Sequence, residues 1–413
     1  MKVLYVVPYD FIPPDSGNKN LLYSLLKGVS PLLECDVAML MGGEAEEIKE
    51  RVRKEFPRIR DVAVFDRPIG LRRKKERILS GIRGFHPALG SYRSTELERW
   101  IRARSENGKY DIIHFDMVHT APYRKACGVQ ATLLVASDAY SLAARGGRIL
   151  SRSWVERIRF GIEEWLHRNY EKKNYHFFDM VCTVSDRDRS YLEALVPLGC
   201  FRTIGVGLAP EYGTTPIRHL VPSAVAGKRI LCTGSLSAQQ VADGVVDFLR
   251  NVFPAVRRRH PDATVTVLGK NPCAILAVCI RETEGVEHVD YVEDYAAFLD
   301  QDWTYVHPQR CGTGLQTKVQ QAMALGLPVV AFNVSFGGLG VEDGVHCLIS
   351  RDLDDMTSKI IALVGSPESR WMIGSSASSF VREKFSIRRV GEEMICIYEE
   401  ILRQRTGKGV GRR

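Results

Sequence analysis

No apolar run in this 413-residue chain reaches the roughly 18 residues that a membrane-spanning helix needs. Its ten cysteines form no CxxC pair, so neither a zinc site nor a disulfide framework is indicated. Cys182, Cys232 and Cys347 instead sit inside apolar runs, as reduced core cysteines do in the cytosol. No internal repeat of roughly 20–50 residues is visible, and no Ser/His/Asp or paired-Glu constellation stands out. Asp300-Gln-Asp302 spells DxD, but it falls at a helix end with no ligand cluster beside it, which excludes a metal site by pattern. The N-terminus MKVLYVVPYD has one lysine and a short apolar run that meets Pro8. It reads as a first strand rather than a signal peptide.

What is present is ordinary soluble globular composition, 45% hydrophobic and 26% charged, at a length comfortable for two domains. The formal charge of +8 suits anionic ligands but is too dispersed to demand nucleic acid. Two basic runs stand out, Arg72–Arg77 and the tail Arg403–Arg413. Each reads as a solvated segment or, more sharply, as contact with an anionic membrane.

Strands are expected at Lys2–Val7, Asp36–Met41, Asp61–Phe65, Asp111–Asp116, Ala131–Ala136 and Asp179–Ser185, the last ending the first sheet. Pro8 to Asn20 reads as a loop leading into a helix, and Gly70 to Gly90 as an exposed basic helix and loop. His119 is placed at the head of a helix, and His114 is expected to pack beneath the site. A long amphipathic helix from Trp154 to about Phe178 carries Ile158, Ile162, Trp165, Leu166 and Tyr170.

Hydrophobic periodicity fades over 206–228, the expected linker between a first domain over 1–205 and a second over 229–385. The second domain reads as strands at Arg229–Thr233, Thr264–Leu268, Trp303–Val306 and Cys347–Ser350, with a helix from Val241 to about Arg259. A final amphipathic helix and its tail occupy 386–413. Alternating strands and helices in both halves argue for an α/β fold of two doubly wound, Rossmann-like domains facing across a cleft.

The most informative stretch is VHPQRCGTGLQTKVQQAMALGLPVVAF, Val306 to Phe332. His307 and Pro308 close a strand, and Gly312-Thr313-Gly314 can turn sharply and bring backbone close to a ligand. Leu315, Val319, Ala322, Met323 and Leu325 recur at helical spacing, so a helix is expected from about Leu315 until Gly326. A glycine turn feeding a helix N-terminus makes an anion site, and Arg310 and Lys318 flank it. The plain alternative is an ordinary βα turn.

This stretch resembles the donor-site signature of family 4 glycosyltransferases of the GT-B fold, in a subgroup with a GTG-x3-KV-x-E-AMA-type pattern. The chain departs from that pattern at Gln321, where the family has the glutamate that holds the donor ribose, and its earlier acidic position falls on Thr313. Gly234-Ser235 matches a glycine that approaches the donor diphosphate. The usual Arg and Lys after it are replaced by Leu236-Ser-Ala-Gln-Gln240, and the layout from Gly234 to Val256 resembles the same subgroup.

The resemblance implies a retaining transfer of a sugar from a nucleotide diphosphate sugar to a small-molecule, glycan or lipid-linked acceptor, in the cytoplasm or on the inner membrane face. No cofactor or metal is expected, and no nucleic acid. It implies donor contacts at Gly17, Gly234, Ser235, Lys270, Val292, Gly312, Thr313, Gly314 and Gln321. Arg310 and Lys318 are expected to stabilise the departing diphosphate. Asp138 either orients the acceptor or sugar or caps the following helix. A nucleotide-sugar epimerase of the same architecture and a catalytically degraded sugar-nucleotide-binding protein are the alternatives.

Overall fold

Val3–Val7, Val37–Leu40 and Leu133–Ala136 are apolar on both faces and wholly buried, as strands covered by helices on either side must be. The computed structural model describes residues 1–42, 45–151, 153–213 and 228–409, without the side chains of 407–409. The chain divides into two units, Met1–Gly207 with Ile387–Arg413, and Leu208–Ser386. Most of the expected linker, 214–227, lies outside the described residues.

The first unit holds β1 (Lys2–Val7), β2 (Glu34–Leu40), β3 (Ile59–Phe65), β4 (Ile112–Asp116), β5 (Ala131–Ser137), β6 (Met180–Thr183) and β7 (Phe201–Thr203). They form one parallel sheet in the order β3-β2-β1-β4-β5-β6-β7. The sheet therefore ends at β7 rather than at the expected Asp179–Ser185 strand. Three residues with only Phe201 fully buried leave too little period to read from sequence.

The second unit holds β8 (Arg229–Thr233), β9 (Thr264–Leu268), β10 (Val286–Val289), β11 (Thr304–His307), β12 (Val329–Phe332) and β13 (Leu348–Ser350). These are also parallel, in the order β10-β9-β8-β11-β12-β13. Both sheets thus have the doubly wound plan. The expected Val241–Arg259 helix begins at Gln239 and contains a π-helical turn, Phe248–Val252, just before Pro254. Proline supplies no N–H for the regular ladder, which accounts for the wider turn.

The final helix, Ile387–Gly409, packs against the helix Gly17–Val29 within the first unit. Val390, Met394, Tyr398 and Ile401 are its buried face, and the Tyr398 hydroxyl meets His114 Nδ1 at 2.7 Å and Tyr5 at 2.8 Å. His114 is packed as expected, and burial pushes its pKa down to about 3. Cys182, Cys232 and Cys347 are buried free thiols. No helix among the described residues is long and apolar enough to cross a membrane.

The helix Trp154–Asn174 runs on as a 3-10 turn, Tyr175–Phe177, close to the expected end, but much of its apolar stripe faces outward. Trp154 is 73% exposed, Ile158 54%, Ile162 56% and Trp165 60%. Tyr170 of that stripe is buried, and the packed face also has Phe160 lying against Gly147, Glu164 paired to Arg148 at 2.8 Å and Glu171 bonded to the Ser141 backbone N–H at 3.1 Å.

Candidate functional site

In the second sheet the strand order reverses between β8 and β11, and open parallel sheets take ligands at the carboxyl ends beside such a switch point. The loop after β8 begins at Gly234. A Cβ on Gly269, after β9, would come within 2.3 Å of the Gly234 carbonyl oxygen, so only glycine lets these strand ends lie so close.

After β11 the chain passes through Pro308 to Gln316, with Gly314 at φ +67°, and then enters the helix Thr317–Ala324. The helix starts two residues later than expected because Gln316, its N-cap, is still extended. No side chain caps it. The first turn of a helix presents N–H groups without intrahelical partners and the positive end of the dipole.

Lys318 stands in that turn. Its ammonium lies 4.5 Å from the Tyr295 ring centroid, and no carboxylate pairs with it among the described residues. Burial pulls its pKa below the usual lysine value. Tyr295 is fixed in turn: its hydroxyl is 3.0 Å from Thr233 Oγ1 at the end of β8, and Thr233 meets the Tyr305 hydroxyl at 2.7 Å. His307, bonded to Ser335 at 2.8 Å, is held neutral, with its pKa pushed down to about 4 by burial and then by the Lys318 charge.

Gln321 lies one turn beyond Lys318, half-buried, and its side-chain amide has no protein partner among the described residues. Arg310 is engaged differently from expectation. It is exposed and pairs with Asp247 at 3.3 Å, so a protein carboxylate already meets part of its charge. Ser235 is exposed, its hydroxyl 3.3 Å from that of Ser237, and Lys270 sits 4.3 Å over the Tyr291 ring. Gly234, Ser235, Lys270, Val292, Gly312, Thr313, Gly314, Lys318 and Gln321 all follow the carboxyl ends of the adjacent strands β8, β9, β10 and β11. Asp302 pairs with Arg370 at 3.7 Å.

The first sheet reverses between β1 and β4. Gly17 is the first residue of its helix, after the N-cap Ser16, rather than part of a loop reaching Asn20. Asp138 follows β5 and is half-buried; the N-cap of the next helix is Ala139. Ser137 and Met117, at the ends of neighbouring β5 and β4, hold φ +63° and +62°. Such left-handed non-glycine residues gather at functional sites.

His119 lies in the turn directly before Thr120, the N-cap of the 3-10 helix Ala121–Ala126. It belongs to a run of rings the sequence gives no sign of, because its members come from elements far apart along the chain. Arg67 stacks on Tyr92 at 4.5 Å, Tyr92 on His119 at 4.3 Å, Tyr140 on His167 at 5.4 Å, and His167 on His86 at 4.6 Å. Burial pushes His119 and His167 down to about 4. Beside them Tyr9 donates to Asp116 at 2.5 Å, and burial lifts that carboxyl to about 7.

Residues 227–366 match the family model described as glycosyl transferases group 1. A 155-residue stretch is 26% identical to an uncharacterized glycosyltransferase of Haemophilus influenzae, covering 36% of this chain and 43% of that protein. A second relative, a 44.6 kDa protein of the Klebsiella pneumoniae cps region, is 23% identical over 39% of this chain and 43% of its own length. The match thus spans less than half of either relative. Among solved structures, Anabaena HepE in complex with UDP and glucose superposes with TM-score 0.64 at 14% identity, covering 97% of this chain and 100% of that one. Sucrose-phosphate synthase from Thermosynechococcus elongatus gives 0.66 at 14% identity, covering 98% and 100%. These neighbours are GT-B glycosyltransferases, and the likeness establishes the fold.

Proposed function

We propose that this chain is a family 4-type glycosyltransferase that moves a hexosyl or related sugar from a nucleotide diphosphate sugar to an acceptor, with retention of configuration. The observation that carries this reading is Lys318, a largely buried cation with no carboxylate partner among the described residues, in the first turn of a helix whose N-cap side chain makes no capping bond, at the switch point of a Rossmann-like sheet. A diphosphate supplies the missing charge. In the transfer, the bond from the anomeric carbon to the phosphate oxygen breaks and a bond to the acceptor oxygen forms. The acceptor's proton passes to the departing phosphate, whose charge Lys318, the helix terminus and Gly234 stabilise. Protein cations then serve where a metal otherwise would. The complexes of HepE with UDP, glucose and UDP-glucose support a uridine nucleotide as the first donor to try.

The reading extends to a peripheral cytoplasmic enzyme on an anionic membrane. Its support is the outward stripe Trp154, Ile158, Ile162 and Trp165, with exposed Arg157 and Arg168 on one flank and exposed Arg159 on the other. Apolar residues flanked by arginine are the pattern of a helix lying in a lipid interface. A second copy of the chain would set these like charges against one another. The buried thiols suit a reducing compartment.

Incubation with a panel of sugar nucleotides tests the core of the reading. Slow hydrolysis or transfer from one donor supports it. Saturable binding without turnover favours a binding protein instead, a reading that the Arg310–Asp247 pair and Gln321 support.

A further inference from the structure

A cavity of about 780 Å³ opens in the first unit, lined by Arg67, Arg72, Arg73, Arg77, Tyr92 and His119, with Asp66 the carboxylate on its wall among the described residues. We propose that it is the binding site for a phosphate- or diphosphate-bearing ligand, which makes the acceptor of the transfer proposed above an anionic, phosphorylated molecule. The clause about the acceptor rests on that reading; the anion site does not.

Among the described residues none of the four guanidinium groups is in an ion pair, although arginines elsewhere in this unit pair readily, as Arg51 does with Asp10 at 2.5 Å and Arg104 with Asp61 at 3.0 Å. Three of them are instead held by neutral groups. Arg67 donates to the backbone carbonyls of Leu40 and Pro8, Arg72 to Thr95 Oγ1 at 3.0 Å, and Arg73 to Ser91 Oγ at 3.4 Å. Those bonds fix the side chains while leaving their charge unmet. Burial pulls the Arg67 pKa below its usual value, a sign that its charge lies partly out of water.

The arrangement is built by the fold. Arg72, Arg73 and Arg77 come from the opening turns of the helix Gly70–Ile82, Arg67 follows β3, and His119 follows β4. Four like charges around one cavity repel one another, and a bound anion turns that repulsion into attraction. Arginine's planar fork matches phosphate oxygens in pairs, and several forks around one space suit a diphosphate better than a lone carboxylate. His119, kept neutral by burial, adds hydrogen-bonding capacity rather than charge: its Nδ1 is buried without a partner among the described residues.

The same chemistry is carried by a free sugar phosphate and by a phosphorylated lipid. Titration calorimetry with inorganic pyrophosphate addresses the site itself, in full-length protein carrying Lys318→Ala so that the second unit contributes little. The expected result is saturable binding that Arg73→Gln with Arg77→Gln weakens tenfold or more, and that Arg77→Lys weakens less. These side chains are exposed, so circular dichroism should show an intact fold. Equal binding with and without the glutamines overturns the proposal, as does pyrophosphate binding that disappears with Lys318→Ala alone.

Binding of a sugar nucleotide by protein with native Lys318 should be unchanged by the two glutamines. Loss of donor binding alone therefore defeats the transfer reading and leaves the anion site standing. Flotation with neutral vesicles, with and without a polyprenyl phosphate, separates the sources. Arginine-dependent capture only by the doped vesicles assigns a lipid-borne phosphate, and pyrophosphate binding without such capture assigns a soluble one.

Discussion

The ammonium of Lys318 lies 4.5 Å from the centroid of the Tyr295 ring, and Tyr295 is tied by its hydroxyl to Thr233 at the end of β8. A cation carried by the first turn of the helix Thr317–Ala324 is thereby held near the end of a neighbouring strand. Replacing it removes a charge-assisted hydrogen bond worth roughly 1.5–3 kcal/mol. Lys318→Ala should weaken donor binding about tenfold or more, read by calorimetry with the sugar nucleotide that turns over. Unchanged affinity would take Lys318 out of the site.

Gln321, one turn along the same helix, has a side-chain amide with no partner among the described residues. If it faces the donor ribose, Gln321→Ala should lower donor affinity and Gln321→Glu should hold or raise it, because a carboxylate accepts more strongly than an amide. Two variants indistinguishable from the parent in binding and turnover would show that this residue does not touch the ligand.

The outward stripe on the Trp154–Asn174 helix predicts sedimentation with phosphatidylglycerol vesicles at low salt, weakened as salt is raised. Trp154→Ser with Trp165→Ser should abolish it. Truncation at Arg403 should matter less: the chain is helical to Gly409, and Arg405 already pairs with Asp179 at 3.3 Å. Full sedimentation of the double serine variant would move the contact elsewhere.

Burial lifts the Glu171 carboxyl from its ordinary 4.5 to about 7. The folded chain therefore keeps a proton that the unfolded chain releases. Its stabilising contribution is whole below about pH 4.5 and is lost as pH rises through about 7. Measured against Glu171→Gln, the stability of the parent should fall over that window by on the order of 3 kcal/mol. Parallel profiles for the two proteins would mean that Glu171 titrates normally.

The crossing of the helices Gly17–Val29 and Ile387–Gly409 is backbone on backbone. A Cβ on Gly391 would stand 2.5 Å from the Gly28 carbonyl carbon. Gly391→Ala should destabilise by roughly 1–3 kcal/mol or more, seen as a lower denaturant midpoint with an unchanged slope. An unshifted midpoint would show slack at the crossing.

The sequence by itself determined the two alternating series of strands and helices and the glycine turn before Thr317. These features are local: apolar runs bounded by Pro and Gly, helical spacing, and glycine where the backbone must turn or crowd. The same locality allowed boundaries to slip by a residue or two, and it hid β7, which is too short to show a period.

Tertiary structure decided the rest. Periodicity marks the Trp154–Asn174 helix as amphipathic but not which face is covered. Here Tyr170 is buried and Glu164 and Glu171 turn inward to Arg148 and Ser141, while Trp154, Ile158, Ile162 and Trp165 are left outside. The basic run at Arg72 read as solvated or membrane-bound. Only the folding of Arg67, Ser91, Thr95 and His119 around it made a cavity of unpaired arginines, because those residues meet through sheet order and not through spacing along the chain.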